Sequence, residues 1–153
     1  MLWDDPLSFI LRGMAQKRVL YIEDEDFFAK TLSRSLEHLG CEVILAKDGE
    51  EGVQHIQRDR FDLILLDLLL PKVDGFEILK MIKNDPATKG LPVIIVSNLF
   101  SDEDQRKVTE FGAKHYFVKA FTDPRTIVSY VGRSLGIVEK KTGGAPASQS
   151  FGV

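Results

Sequence analysis

The residues able to do chemistry in this sequence are the acidic run Glu23-Asp24-Glu25-Asp26, the single carboxylate Asp67 inside LILLDLLLPKVDG, the hydroxyl of Ser97 and the ammonium of Lys119. Carboxylates brought together repel: two unit charges about 4 Å apart cost roughly 4 kcal/mol at an effective dielectric near 20. A hard divalent cation removes that penalty. Mg²⁺ takes one or two carboxylates and keeps waters and phosphate oxygens in its other positions. Lys119 adds a second positive charge. A carboxylate held this way suits nucleophilic attack on a phosphoryl group, giving an aspartyl phosphate. Asp67 is the candidate nucleophile, and Lys119 and Ser97 are the candidates to stabilise charge on the transferring oxygens.

Those groups lie far apart in the chain, so the elements that gather them matter. RVLYI (18–22) is a short apolar run rich in strand formers, and the acidic run follows it. Phe28, Leu32, Leu36 and Leu39 recur at helical spacing and stop at Gly40. CEVILA (41–46) reads as a second strand and 48–57 as a short polar helix. FDLILLD (61–67) is a third strand, apolar on both faces. A helix over 73–85 ends at Pro86. LPVIIVS (91–97) is the fourth strand, 102–112 a helix with a Gly stop, and KHYFVK (114–119) the fifth strand. Residues 123–138 form the last helix, with Asp123 as N-cap and Pro124 at its first position.

Strand and helix therefore alternate, and the third and fourth strands are continuous apolar runs. Such runs belong to a parallel sheet covered by helices on both faces. The expected fold is a single α/β domain over 17–138, with a leader over 1–16 and a disordered tail over 139–153 rich in Gly, Ser, Ala and Pro. In an open parallel sheet, ligands bind outside the carboxyl ends of the strands. The acidic run, Asp67, Ser97 and Lys119 each close a strand and so share one rim. Asp67 is read as the last residue of its strand, its carboxylate pointing out of the rim while its aliphatic neighbours bury. Asp26 fits a helix N-cap.

Composition removes other classes. The chain has 153 residues, 44% of them hydrophobic and 28% charged, which suits one domain with a real core. The net charge of -3 argues against a nucleic-acid footprint. No apolar stretch approaches the roughly 18 residues of a membrane helix. The one cysteine, Cys41, allows no intrachain disulfide, so a reducing, cytoplasmic setting is expected. Cys41, His38, His55 and His115 have no metal-ligand spacing. A flavin carrier needs a phosphate-cradling loop after the first strand, and EDEDFF would repel phosphate there. A phosphatase of the haloacid dehalogenase type wants a second Asp two residues after the nucleophile, and that position is Leu69.

Taken in order, Glu23-Asp24 after a strand, Asp67-x-x-x-Pro71-x-x-Asp74-Gly75, a hydroxyl residue after PVIIV, and Gly112-Ala113-x-x-Tyr116-x-x-Lys119 resemble the receiver domain of bacterial response regulators. The resemblance implies a flavodoxin-like (βα)5 three-layer sandwich with strand order 2-1-3-4-5. It implies Asp67 as phospho-acceptor, and Mg²⁺ held by Glu23, Asp24, Asp67 and the main-chain carbonyl of Leu69. It implies Ser97 and Lys119 at the phosphoryl group, and Tyr116 as an aromatic switch that turns inward as Ser97 moves. The chain would then be a phosphoryl acceptor in two-component signalling rather than an enzyme. Its donor would be a sensor histidine kinase or a histidine phosphotransfer protein, docking on the first helix. Phe27, next to the inward-facing Phe28, is the candidate docking anchor. The output surface, for a downstream protein or a second copy of the chain, would be helix 4, strand 5 and helix 5.

The sequence also departs from the family pattern. Asn98 follows Ser97 where a small residue such as Ala is usual. Ala120 follows Lys119 where a proline with a cis peptide bond is usual. A non-proline cis bond costs about 2.5–4 kcal/mol, so a trans bond and a shifted loop at Phe121 are expected. These departures keep open a degenerate receiver that binds protein without phosphorylation. By the same resemblance Leu69 and Leu99 flank the path of the hydrolytic water. Neither can hydrogen-bond that water, so loss of the phosphoryl group is expected to be slow.

Overall fold

The computed structural model describes residues 16–137. The expected leader, apart from residue 16, and the expected tail lie outside the described residues. The elements run β1 (Arg18–Ile22), α1 (Asp26–His38), β2 (Glu42–Ala46), α2 (Gly49–Arg58), β3 (Leu63–Leu66), α3 (Gly75–Asn84), β4 (Val93–Ser97), α4 (Asp102–Glu110), β5 (His115–Val118), a 3-10 turn (Lys119–Phe121) and α5 (Pro124–Ser134). The strands form one sheet in the order β2-β1-β3-β4-β5, and every neighbouring pair is parallel. This is the expected flavodoxin-like three-layer sandwich.

Strand side chains alternate between two cores. Val19, Tyr21, Leu63, Leu65, Ile94 and Val96 pack with Leu32 and Leu36 of α1 and Ile127 and Val131 of α5. Leu20, Ile22, Ile64, Leu66, Val93 and Ile95 pack with Ile78, Leu79 and Ile82 of α3 and Val108 of α4. Burial on both faces is why β3 and β4 are uninterrupted apolar runs. Among the described residues no helix is long and apolar enough to cross a membrane.

The helices start and stop where local chemistry dictates. The carboxylates of Asp48, Asp74 and Asp123 and the hydroxyl of Ser101 accept first-turn backbone N–H groups of α2, α3, α5 and α4. Gly40 and Gly112, after α1 and α4, have φ of 104° and 98°, a region open to glycine at little cost. Two expectations need correction. Asp26 is the first helical residue of α1; the N-cap is Glu25, with no side-chain cap bond. The last helix stops at Ser134 rather than 138, because Gly136 takes φ 72° and its N–H turns back to the Arg133 carbonyl.

Candidate functional site

Four strand ends converge on one rim, and each contributes differently. Asp67 lies just beyond β3 rather than closing it, but its N–H still bonds the Ile22 carbonyl at 3.1 Å, the last rung toward β1. That rung sets Asp67 beside Glu23, the first residue after β1. Gly75 then presses on the same backbone: a Cβ there would stand 2.4 Å from the Asp67 carbonyl oxygen and 2.6 Å from Leu68 Cα. The Asp-Gly pair of the motif thus has two jobs. Asp74 caps α3, and Gly75 lets the helix start against the main chain of Asp67 itself.

The expected outward-pointing Asp67 carboxylate is instead buried, at 2% exposure. The reason is Lys119. Its Nζ stands 2.8 Å from Asp67 Oδ2 and 2.7 Å from the Glu23 carboxylate, and all three side chains are almost wholly out of water. The Leu69 N–H donates to Asp67 Oδ1 at 3.1 Å. Lys119 itself begins the 3-10 turn rather than ending β5. Because β4 lies between β3 and β5, the four-carbon stem of Lys119 must cross the end of β4 to reach Asp67. A buried charge is tolerated only when paired and hydrogen-bonded, and this one is both.

One ammonium does not balance the acids it meets. Glu23, Asp24 and Asp67 each offer a carboxylate oxygen, all within 4.8 Å of one another, with Glu23 and Asp67 buried and Asp24 exposed. Burial pushes the Glu23 carboxyl up to about 7; the Lys119 hydrogen bond opposes this and the Asp67 charge adds to it. Burial also acts to lower Lys119, but its bonds to Asp67 and Glu23 outweigh that and hold its pKa above the ordinary lysine value. Excess negative charge on hard oxygens, open to water at Asp24, fits a small divalent cation such as Mg²⁺.

The remaining residues of the pattern sit around this centre. Ser97 is fully buried, and its Oγ accepts the Leu99 N–H at 3.4 Å. The half-buried Tyr116 donates its hydroxyl proton to the Leu99 carbonyl. Its pKa is pushed up to about 12, mainly by burial and by the Asp104 charge. Ser97 and Tyr116 therefore grip one peptide segment at Leu99 from its two polar sides. Phe27 is exposed at 82%, while Phe28 packs on the core and lays its ring 5.3 Å from Lys119 Nζ. No described peptide bond is cis, so Lys119–Ala120 is trans, and Phe121 is exposed on the turn that follows.

Two participants are absent from the motif reading. Tyr21, fully buried in β1, donates to Glu23 Oε2 at 3.3 Å. The signal was available: residues i and i+2 of a strand share a face. Phe28 is the other, its ring beside the Lys119 ammonium.

The comparisons with known proteins agree with this fold. The sequence profile of the response regulator receiver domain matches residues 19–131. The gliding motility regulatory protein of Myxococcus xanthus is 41% identical over 102 residues, which are 67% of this chain and 13% of that protein. The alkaline phosphatase synthesis transcriptional regulatory protein PhoP of Bacillus subtilis is 32% identical over 133 residues, 87% of this chain and 53% of that protein. The polar-differentiation response regulator DivK of Brucella anthropi is 34% identical over 119 residues, 76% of this chain and 97% of that protein. The chain thus spans a small part of the first, about half of the second and nearly all of the third. Among solved structures, the Mn²⁺-bound form of response regulator Rcp1 superposes with a TM-score of 0.73 at 27% identity, covering 80% of this chain and 97% of that one. The Francisella response regulator 1452 receiver domain gives a TM-score of 0.72 at 27% identity, covering 78% and 97%.

Proposed function

This chain belongs to the response regulator receiver domain family, and from that premise we propose that it accepts a phosphoryl group on Asp67 and answers by changing a protein-binding face. The observation that carries this reading is the buried Lys119–Asp67–Glu23 network, with Asp24 completing a carboxylate cluster at its mouth. Glu23, Asp24, Asp67 and the main-chain carbonyl of Leu69 would hold Mg²⁺, which supplies positive charge for the phosphoryl oxygens when bound. An Asp67 oxygen attacks phosphorus: the O–P bond forms, the bond to the donor's histidine nitrogen breaks, and that nitrogen keeps the electron pair. Lys119 already lies on the nucleophile, so a short shift carries its ammonium from Asp67 Oδ2 to a phosphoryl oxygen. The chain is itself the phosphorylated product, so it acts as an acceptor and not as a turnover enzyme.

The signal then leaves through Leu99. A Ser97 hydroxyl drawn to the phosphoryl group gives up the Leu99 N–H. That frees the segment whose carbonyl holds Tyr116. Tyr116 stands in β5, so the change is read on the α4-β5-α5 face by a downstream protein or a second copy of the chain. The donor is a sensor histidine kinase or a histidine phosphotransfer protein, docking on α1 with Phe27 as its anchor.

Intact-mass spectrometry after incubation with acetyl phosphate and Mg²⁺ tests the reading. One phosphoryl adduct is expected on the wild type and none on Asp67→Asn. No adduct on the wild type, even with a kinase supplied, would leave a receiver that binds protein without phosphorylation.

A further inference from the structure

Backbone pairing between β4 and β5 ends at the rung Ser97↔Val118. The two loops do not part there. Asn98 Oδ1 accepts the Ala120 N–H at 2.9 Å. Beyond it, the rings of Phe100 and Phe121 meet edge to face, centroids 5.8 Å apart at 81°. A side-chain rung and then an aromatic rung thus continue the ladder past its last main-chain bond. The acceptor exists because residue 98 is Asn, and the donor exists because residue 120 is not proline, which has no N–H. The two departures from the family pattern are the two halves of one hydrogen bond.

The residues just before this bond are Ser97 and Lys119, both buried in the site. Lys119 opens the single 3-10 turn Lys119–Phe121, whose N-cap, Val118, gives no side-chain cap bond. First-turn N–H groups have no partner inside their own helix. Asn98 supplies one from the neighbouring loop. A turn left unheld would let the Lys119 backbone wander, and the ammonium with it, because the long stem fixes its tip only when its root is fixed.

We propose that Asn98 is a positioning residue for Lys119, joining the Ser97 and Lys119 loops into one unit through the Ala120 amide. The part of this that concerns phosphoryl transfer rests on the function proposed above. Asn98 is exposed, and its side-chain oxygen bonds the Ala120 amide rather than Lys119 Nζ, so it acts through the turn.

The test is a double-mutant cycle of Asn98→Ala and Ala120→Pro, read in two ways. The first reading needs no phosphorylation: the ¹⁵N resonance of the Lys119 ammonium and the hydrogen exchange of the Ala120 amide, by NMR on the intact chain. Asn98→Ala is expected to speed Ala120 exchange by about three- to tenfold, the range one hydrogen bond controls, and to broaden the Lys119 signal. Asn98→Asp, which keeps the acceptor, is expected to restore the protection of Ala120. The second reading is the maximal rate of phosphorylation by acetyl phosphate. It is expected to fall by about three- to tenfold in either single variant and no further in the double variant.

An unchanged Lys119 resonance and unchanged Ala120 exchange in Asn98→Ala would overturn the proposal. So would losses that multiply in the double variant. A wild type that takes no phosphoryl group would sink the functional reading alone, and the first reading would still decide whether Asn98 positions Lys119.

Discussion

Lys119 Nζ lies 2.8 Å from Asp67 Oδ2, with both side chains at 3% exposure or less. The pair joins residues 52 apart in sequence. It answers how a carboxylate survives in an aliphatic segment: its counter-charge is delivered from another strand end. On the function proposed above, it also keeps the phospho-acceptor and the group that would neutralise its product in contact before any phosphoryl group arrives.

Lys119→Met should therefore destabilise the metal-free protein by about 3–5 kcal/mol, because two buried carboxylates lose their partner. Urea unfolding measures this, and saturating Mg²⁺ should recover a good part of the loss. A variant as stable as the wild type in EDTA would contradict the assignment of Lys119 as the counter-charge.

Glu23 makes the metal-free protein sensitive to pH. Its folded pKa of about 7 lies above its ordinary 4.5, so between those values the native state holds more protons than the unfolded chain. Stability falls with rising pH wherever that holds. The Glu23 contribution is thus full below about 4.5 and lost as pH rises through about 7. In EDTA the urea midpoint should drop between about pH 5 and about pH 7.5 by more in the wild type than in Glu23→Gln. Equal slopes in the two proteins would refute it.

At Gly75 the constraint is steric. The Cβ of Gly75→Ala would overlap the Asp67 carbonyl oxygen and Leu68 Cα, and backbone cannot swing aside as a side-chain tip can. A cost of about 1–3 kcal/mol is expected by thermal unfolding, together with slower phosphorylation as the Asp67 main chain shifts.

Phe27 is exposed enough that Phe27→Ala should leave stability and acetyl phosphate labelling nearly unchanged. Transfer from the cognate kinase should fall sharply. Equal transfer in the two proteins rejects Phe27 as the docking anchor.

The phosphoryl group, once formed, should be long-lived. Leu69 is half exposed and Leu99 half buried, and neither side chain can orient a water molecule. Replacing both with Asn or Gln should speed hydrolysis by about tenfold, followed as decay of the phosphorylated mass. An unchanged decay rate would remove these positions from the water path.

Much of the fold was legible because its causes are local. Apolar runs at residues 18–22 and 91–97 mark the strands β1 and β4, Asp123-Pro124 starts α5, and Gly40 and Gly112 close helices; each effect acts within a few residues. Helix and strand ends drifted by a few residues because fraying and capping are decided by individual hydrogen bonds, as at Glu25 and Gly136. Strand spacing puts Tyr21 and Glu23 on one face, but only the burial of both makes the Tyr21 hydroxyl a partner of the carboxylate.

The sequence by itself determined which chemical groups stand at the strand ends, since strand periodicity and the turn after each strand are properties of short segments. Only the tertiary structure decided how those groups meet. The order β2-β1-β3-β4-β5 puts Asp67 beside Glu23 and sends Lys119 across β4, 96 residues from the glutamate it bonds. The bond from Ala120 to Asn98 is of the same kind. Such contacts depend on strand order and on exclusion of water, and spacing along the chain records neither.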